Sequence, residues 1–188
     1  MIKTKFTTLT ILLLFARGCD FYSTSLWFFQ SNGISDETNP LTRFLGAGWN
    51  GLILTNIILV GLIIGMFYYY SFKYQPHRVS TNPSNYKEYA SSLYFGRNDR
   101  FWQIFYKIPK NPKILIGHLG YVLVRVLIVG SILATVHNLC QFHNVAAYDG
   151  FREIVIRPLY VIYGVIAFST MFFYRRILKK EYQMQQLL

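Results

Sequence analysis

The sequence predicts an all-α polytopic membrane protein. It has four transmembrane helices, both termini on the inner side (N-in/C-in), and a long basic interfacial loop between the second and third helices. Three observations carry this prediction. Of 188 residues, 53% are apolar and only 14% charged, against roughly 25% charged in ordinary soluble domains. Apolar runs of spanning length recur four times, and many of the 15 Tyr and 16 Phe lie near their ends, where ring belts form at the headgroup level. The net charge of +11 is confined to the termini and to one loop. One membrane domain, residues 1–188, accommodates all of this.

Lys3 and Lys5 precede the apolar run Thr7–Ala16, which Arg17 and Asp20 interrupt before Phe21–Phe29. Gly18-Cys19 has the form of a lipoprotein cleavage point. Arg17 just before it fits that reading poorly, and the apolar run continues beyond, so residues 6–30 are read as a retained first span. A polar loop, 31–48, contains Gly33, Pro40, Gly46 and Gly48. Trp49 opens the second span, 49–71, which Tyr68-Tyr69-Tyr70 closes. Gly61-Leu-Ile-Ile-Gly65 within it has the small-xxx-small spacing that allows two helices to approach closely.

The loop 72–113 carries eight basic residues (Lys73, Arg78, Lys87, Arg97, Arg100, Lys107, Lys110 and Lys113) against Glu88 and Asp99. Rings alternate with charge over Tyr86–Tyr106, which predicts one or two helices lying in the headgroup plane. The third span, 114–142, holds His118, Arg125 and His137 and is long enough to tilt or project. A short loop follows, with Asp149-Gly150 as a turn. The fourth span, 154–174, ends in Arg175-Arg176 and Lys179-Lys180, and a polar helical tail completes the chain.

Four spans put both termini and the 72–113 loop on one side, together with nearly all Lys and Arg. The two opposite loops are short and hold Asp36, Glu37, Asp149 and Glu153. The positive-inside rule then gives the orientation. A basic inner face attracts anionic lipid, at about 1 kcal/mol per residue near the surface. Charge confined in this way is a topology signal, and nucleic acid is not expected as a partner. The localisation that follows is a bacterial inner membrane or a membrane derived from one.

Ionisable groups at bilayer depth are costly and mark sites or internal contacts. Arg17, Asp20, Thr24 and Trp27 follow i, i+3, i+7, i+10 spacing and share one helix face. Arg17 and Asp20 can pair, which lowers the cost of burying either. One reading of this face is a polar clamp between helices, and the other is a proton, ion or ligand site. Glu37 and Asn39 lie just outside, where Pro40 biases Asn39 away from helical angles. Either a capped loop or a turn folded back over the bundle suits them. On the third span, Arg125 calls for a water-filled cavity, lipid phosphate, or an aspartate such as Asp20. Catalytic candidates are Asp20, Glu37 and His137, and binding candidates are Arg17, Thr24, Asn39 and Arg125.

His137, Cys140 and His143 belong to the outer half and are of metal-ligating type. Their spacing lacks the H-E-x-x-H arrangement, so no metal is assigned. No phosphate loop, nucleophile elbow or CxxC pair is present, and the sequence names no cofactor. Cys19 and Cys140 fall in different apolar segments, which leaves their pairing open.

Asp20-x-x-x-Thr24 on an apolar helix, then Gly33 and Glu37-x-Asn39-Pro40-Leu41, precede a glycine-containing entry to a second apolar helix. Over residues 17–60 this resembles a family of small, uncharacterised bacterial integral membrane proteins. Their first hairpin has a D-x-x-x-T … G-x-x-x-E-x-N-P-L pattern. The resemblance implies fold and membrane location and adds no reaction. The leading functional expectation is a non-enzymatic accessory, assembly or scaffolding component of a membrane complex. Its basic face would contact lipid, other membrane subunits, or a second copy of the chain. The alternative is an intramembrane metal-dependent hydrolase or transferase with an outward site at Asp20, Glu37 and His137. A small transporter is weaker, because four spans without an internal repeat need oligomerisation to make a pathway.

Overall fold

A computed structural model describes residues 2–29, 48–76, 78–79, 82–96, 101–155 and 158–187. Among these residues all regular structure is helical: α1 (Ile2–Phe28), α2 (Trp49–Phe72), α3 (Tyr86–Phe95), a short 3-10 segment (Phe101–Phe105), α4 (Pro112–Phe142), α5 (Ala146–Ile154) and α6 (Pro158–Gln186). By length and composition, α2, α4 and α6 are able to cross a membrane. The first helix is as long as these and is not among them, because Arg17 and Asp20 near its middle lower its hydropathy.

Helix α4 is central and packs against α1, α2 and α6. Its contacts fix the chain directions. Arg17 of α1 reaches Ser131 and Ser23 meets Asn138, so α1 and α4 run parallel. Met66 of α2 lies against Gly120 and Asn56 shares Arg17 with Ser131, while Glu181 of α6 meets His118 and Ile166 lies against Gly130, so α2 and α6 run the other way. Between α1, α2 and α4 lies a core of Leu13, Ala16, Ile63, Phe67, Val124 and Ile128. Tyr121, Val122, Val126 and Ile177 fill the seam between α4 and α6. The opposite faces expose Ile11, Phe15, Leu54, Ile57, Phe168 and Met171, an apolar surface suited to hydrocarbon and hazardous in water.

Close approach is made at glycines other than the predicted pair. Gly61 and Gly65 have open space where a side chain would stand, whereas a Cβ on Gly120 would lie 2.2 Å from the Met66 carbonyl oxygen. A Cβ on Gly117 would lie 2.6 Å from the Tyr74 ring. The small-xxx-small spacing in α2 thus faces outward, and the α2–α4 crossing depends on the facing helix.

The basic loop is anchored to protein. Asn85 caps α3 by accepting from the Lys87 and Glu88 amides, and Glu88 reaches back to accept from Ser84 N at 2.8 Å and from the Asn85 side chain at 3.0 Å. Gly96 ends the helix at φ 70°, the left-handed position that glycine adopts without penalty. Every residue from Tyr89 to Phe95 is buried, so α3 is a packed element rather than a helix with one face in lipid. Its support is the C-terminal half of α6, which continues well past the predicted span. Gln185 exchanges hydrogen bonds with the backbone of Val79, and the Tyr182 hydroxyl donates to Ser84 O at 3.0 Å.

The predicted turn at Asp149-Gly150 is instead inside helix α5. There Asp149 and Arg152 stand one turn apart with 3.7 Å between their charged atoms. The predicted start of the last span at 154 falls at the end of this short helix. Pro158 opens α6, a position where its missing N–H costs nothing.

Replacing Gly120 with valine forces α2 and α4 apart. The expected cost is about 2 kcal/mol, read from unfolding in mixed micelles, whereas Gly65→Ala should be neutral or slightly stabilising.

Candidate functional site

Three polar constellations are present, and the spacing of the sequence announces only one of them. The first is the α1 face. The Arg17 guanidinium pairs with Asp20 one turn on, donates to Ser131 Oγ of α4 at 3.1 Å, and bonds the Asn56 side-chain oxygen of α2. Asn56 in turn donates back to Leu52 O. Further along, Asn138 Nδ2 reaches Ser23 Oγ at 3.2 Å and Thr24 Oγ1 at 3.3 Å, and Trp27 Nε1 donates to Asn138 O. Arg17 and Thr24, candidate ligand-binding residues by sequence, therefore tie three helices together. In a medium without water each such bond replaces a costly unsatisfied group.

The second constellation lies between the N-terminal part of α4 and the C-terminal part of α6. His118 Nε2 is 3.1 Å from Glu181 Oε2, and both side chains are almost fully buried. Three tyrosines from the adjoining segments complete the cluster. Tyr74 Oη, after α2, lies 3.2 Å from both His118 Nε2 and Glu181 Oε2. Tyr94 Oη of α3 is 2.7 Å from His118 Nδ1, and Tyr89 donates to Glu181 Oε2 at 3.4 Å. Burial above all, and then the Glu181 charge, raises the Tyr74 and Tyr89 hydroxyls above the ordinary tyrosine pKa. Burial does the same for Tyr94, with neighbouring Tyr174 contributing next. No sequence rule pairs His118 with Glu181. They are 63 positions apart, and Glu181 sits in what reads as a polar tail.

The third is an open cleft of about 1450 Å³. Its walls are the N-terminal part of α1 (Lys5, Leu9), the end of α2 (Phe67, Tyr70) and the cationic turns of α6. On α4, Tyr121 and Arg125 form its floor. Arg175, Arg176, Lys179 and Lys180 line it together with the single carboxylate of Glu181. Arg125 pairs neither with Asp20 nor with any carboxylate among the described residues. Its guanidinium stacks 3.7 Å over the Tyr121 ring and donates to Tyr121 O, a cation–π arrangement that holds an arginine where no counter-ion stands.

The remaining sequence candidates are dispersed. His137 Nδ1 bonds the Tyr148 hydroxyl of α5, while Asp20 sits with Arg17. Burial raises the Tyr148 pKa and nearby Arg152 opposes the shift. His143 is exposed beyond α4. Cys19 and Cys140 are free thiols. Among the described residues no group of three His, Cys, Asp or Glu side chains is placed to hold a metal ion. Glu37 and Asn39 lie outside the described residues.

No protein-family model matches the chain, and no curated protein and no solved structure matches it either. No relative's chemistry is therefore carried over to these residues.

Replacing Glu181 with leucine leaves His118, Tyr74 and Tyr89 facing an apolar group. It should destabilise the fold by about 3 kcal/mol, whereas Arg152→Gln, which breaks an exposed pair, should change stability by less than about 0.5 kcal/mol. Chemical unfolding in mixed micelles measures both.

A raised tyrosine pKa means that the fold favours the neutral hydroxyl. The stability it confers is whole below the ordinary value of about 10 and is lost as pH rises past it. In an ultraviolet titration Tyr74, Tyr89 and Tyr94 should ionise only together with alkaline unfolding. Their ionisation near pH 10 in still-folded protein would contradict the packing.

Proposed function

We propose that the chain is a non-enzymatic integral membrane component with four spans, N-in and C-in. It would act as an accessory, assembly or scaffolding subunit whose basic end engages membrane lipid or a partner, in a bacterial inner membrane or one derived from it. Helix α1 supplies the fourth span. Its 27 residues reach about 40 Å, and it packs against α2 and α4. Ile11, Leu14 and Phe15 point away from the bundle, while its ionisable pair is engaged within it.

The distribution of polar groups carries this reading. Deep in the bundle, Arg17 pairs with Asp20 on its own helix and bonds Asn56 and Ser131 on two others, and Asn138 reaches across to Ser23 and Thr24. Cationic surface gathers at one end, around the cleft, where Arg175 and Lys179 also lie over the Tyr86 ring. Polar residues spent on joining helices are what a scaffold needs. A hydrolase needs a base and a nucleophile or metal converging on an open position. No observation favours catalysis at Asp20, Glu37 and His137.

Extraction in lipid-retaining polymer discs, followed by mass measurement of the intact particles, tests this reading. A fixed set of co-purifying subunits, or a defined homo-oligomer, is expected. A monomer with no co-purifying protein overturns the subunit reading. Labelling of a cysteine placed after Gln186 should occur only from the inner side, together with one placed at exposed Lys87.

A further inference from the structure

We propose that the cleft between α1 and α6 is a binding site for one anionic phospholipid per chain, its phosphate held by Arg125 with Arg175 and Arg176. This deepens the function proposed above. It rests on the chain spanning a membrane with its basic end at headgroup level, and it names lipid as the occupant of the cleft.

Size is the first argument. A volume of about 1450 Å³ exceeds the roughly 300–1,000 Å³ of ordinary small-molecule sites and has room for a headgroup with the upper part of its chains. The second is access. Helices α1 and α6 both flank α4 but form no packed seam with each other among the described residues, and the gap between them is the route by which a lipid would enter from the bilayer.

The third argument is the order of polarity. Arg125 lies seven residues beyond His118 along α4, about 10 Å farther from the inner end, beside Phe67 and Leu9. Arg175 and Arg176 line the same cleft, Arg175 with its guanidinium also 5.7 Å from the Tyr86 ring. Apolar walls next to cations match an amphiphile, whereas a free anion would need no hydrocarbon surface. The chemistry of Arg125 agrees. Its guanidinium carries five donors in a planar fork suited to phosphate, and its described hydrogen bond goes to one backbone oxygen. Glu181, the one carboxylate in the lining, is occupied by His118, Tyr74 and Tyr89. The site is therefore net cationic, which selects an anionic headgroup over a zwitterionic one.

The full chain, purified and delipidated in mild detergent, is titrated with dioleoyl-phosphatidylglycerol or dioleoyl-phosphatidylcholine, and bound lipid is counted by native mass spectrometry. One phosphatidylglycerol per chain is expected, about tenfold or more tighter than phosphatidylcholine. Arg125→Met and the pair Arg175→Gln/Arg176→Gln should each weaken it about tenfold. The latter two residues are exposed, so this variant carries the test if Arg125→Met does not fold. The pair Lys87→Gln/Lys113→Gln removes the same charge away from the cleft and should change binding less than about twofold.

Equal retention of the two lipids, or equal effects of the two double variants, would reduce the attraction to diffuse surface charge and overturn the site. Displacement of the lipid by millimolar inorganic phosphate would make it a free-anion site, and occupation by an acidic segment of a co-purified protein would make it a protein-docking groove. Either result overturns the proposal. The same spectra report subunit composition, so loss of the partner reading and loss of the lipid site are seen separately.

Discussion

The buried contact between His118 and Glu181 joins the N-terminal part of α4 to the C-terminal half of α6. Two ionisable side chains with almost no solvent exposure survive only where partners satisfy them. Here the partners are tyrosines supplied by the end of α2 and by α3. Glu181 belongs to the polar C-terminal part of α6. That extension would be a frayed polar tail on its own. Anchored on His118, it becomes the surface on which α3 is packed.

A second polar layer, around Arg17, ties α1 to α2 and α4 by the same logic at greater depth. Between the two layers the helices meet through apolar side chains and through the approach of α2 to Gly117 and Gly120. Neither layer joins α1 to α6. The bundle is consequently closed on the sides where polar clamps and glycines act, and open between these two helices, where the cations collect. The cleft is thus a consequence of which helices the clamps connect.

Legibility in the sequence followed the range of each interaction. Arg17 and Asp20 are three residues apart, and helical geometry alone puts them on one face. Three of the four expected spans correspond to helices long and apolar enough to cross a membrane, because hydropathy is a local property, and α2 begins at Trp49 as the sequence indicates. Local patterns also misled. Gly61 and Gly65 have the spacing of a helix contact, yet nothing described stands within 4 Å of a side chain there, while Gly120 receives α2 and Gly117 the Tyr74 ring just beyond it. Asp149-Gly150 reads as a turn, but the Asp149–Arg152 pair and the contact of Tyr148 with His137 accompany a helix there.

By itself the sequence determined that this chain is helical, where its apolar helices run, and that its positive charge is segregated into few segments. Those properties depend on composition and on neighbours within a turn or two, which any segment carries with it. Tertiary structure decided the rest: that Glu181 meets His118, that α3 of the basic loop is buried against α6, that Arg125 stacks on Tyr121 with no carboxylate partner among the described residues, and that a cleft remains between α1 and α6. Each requires residues tens of positions apart to arrive at the same depth. That depends on how helices are set around α4, a property of packed surfaces that no single stretch of the chain contains.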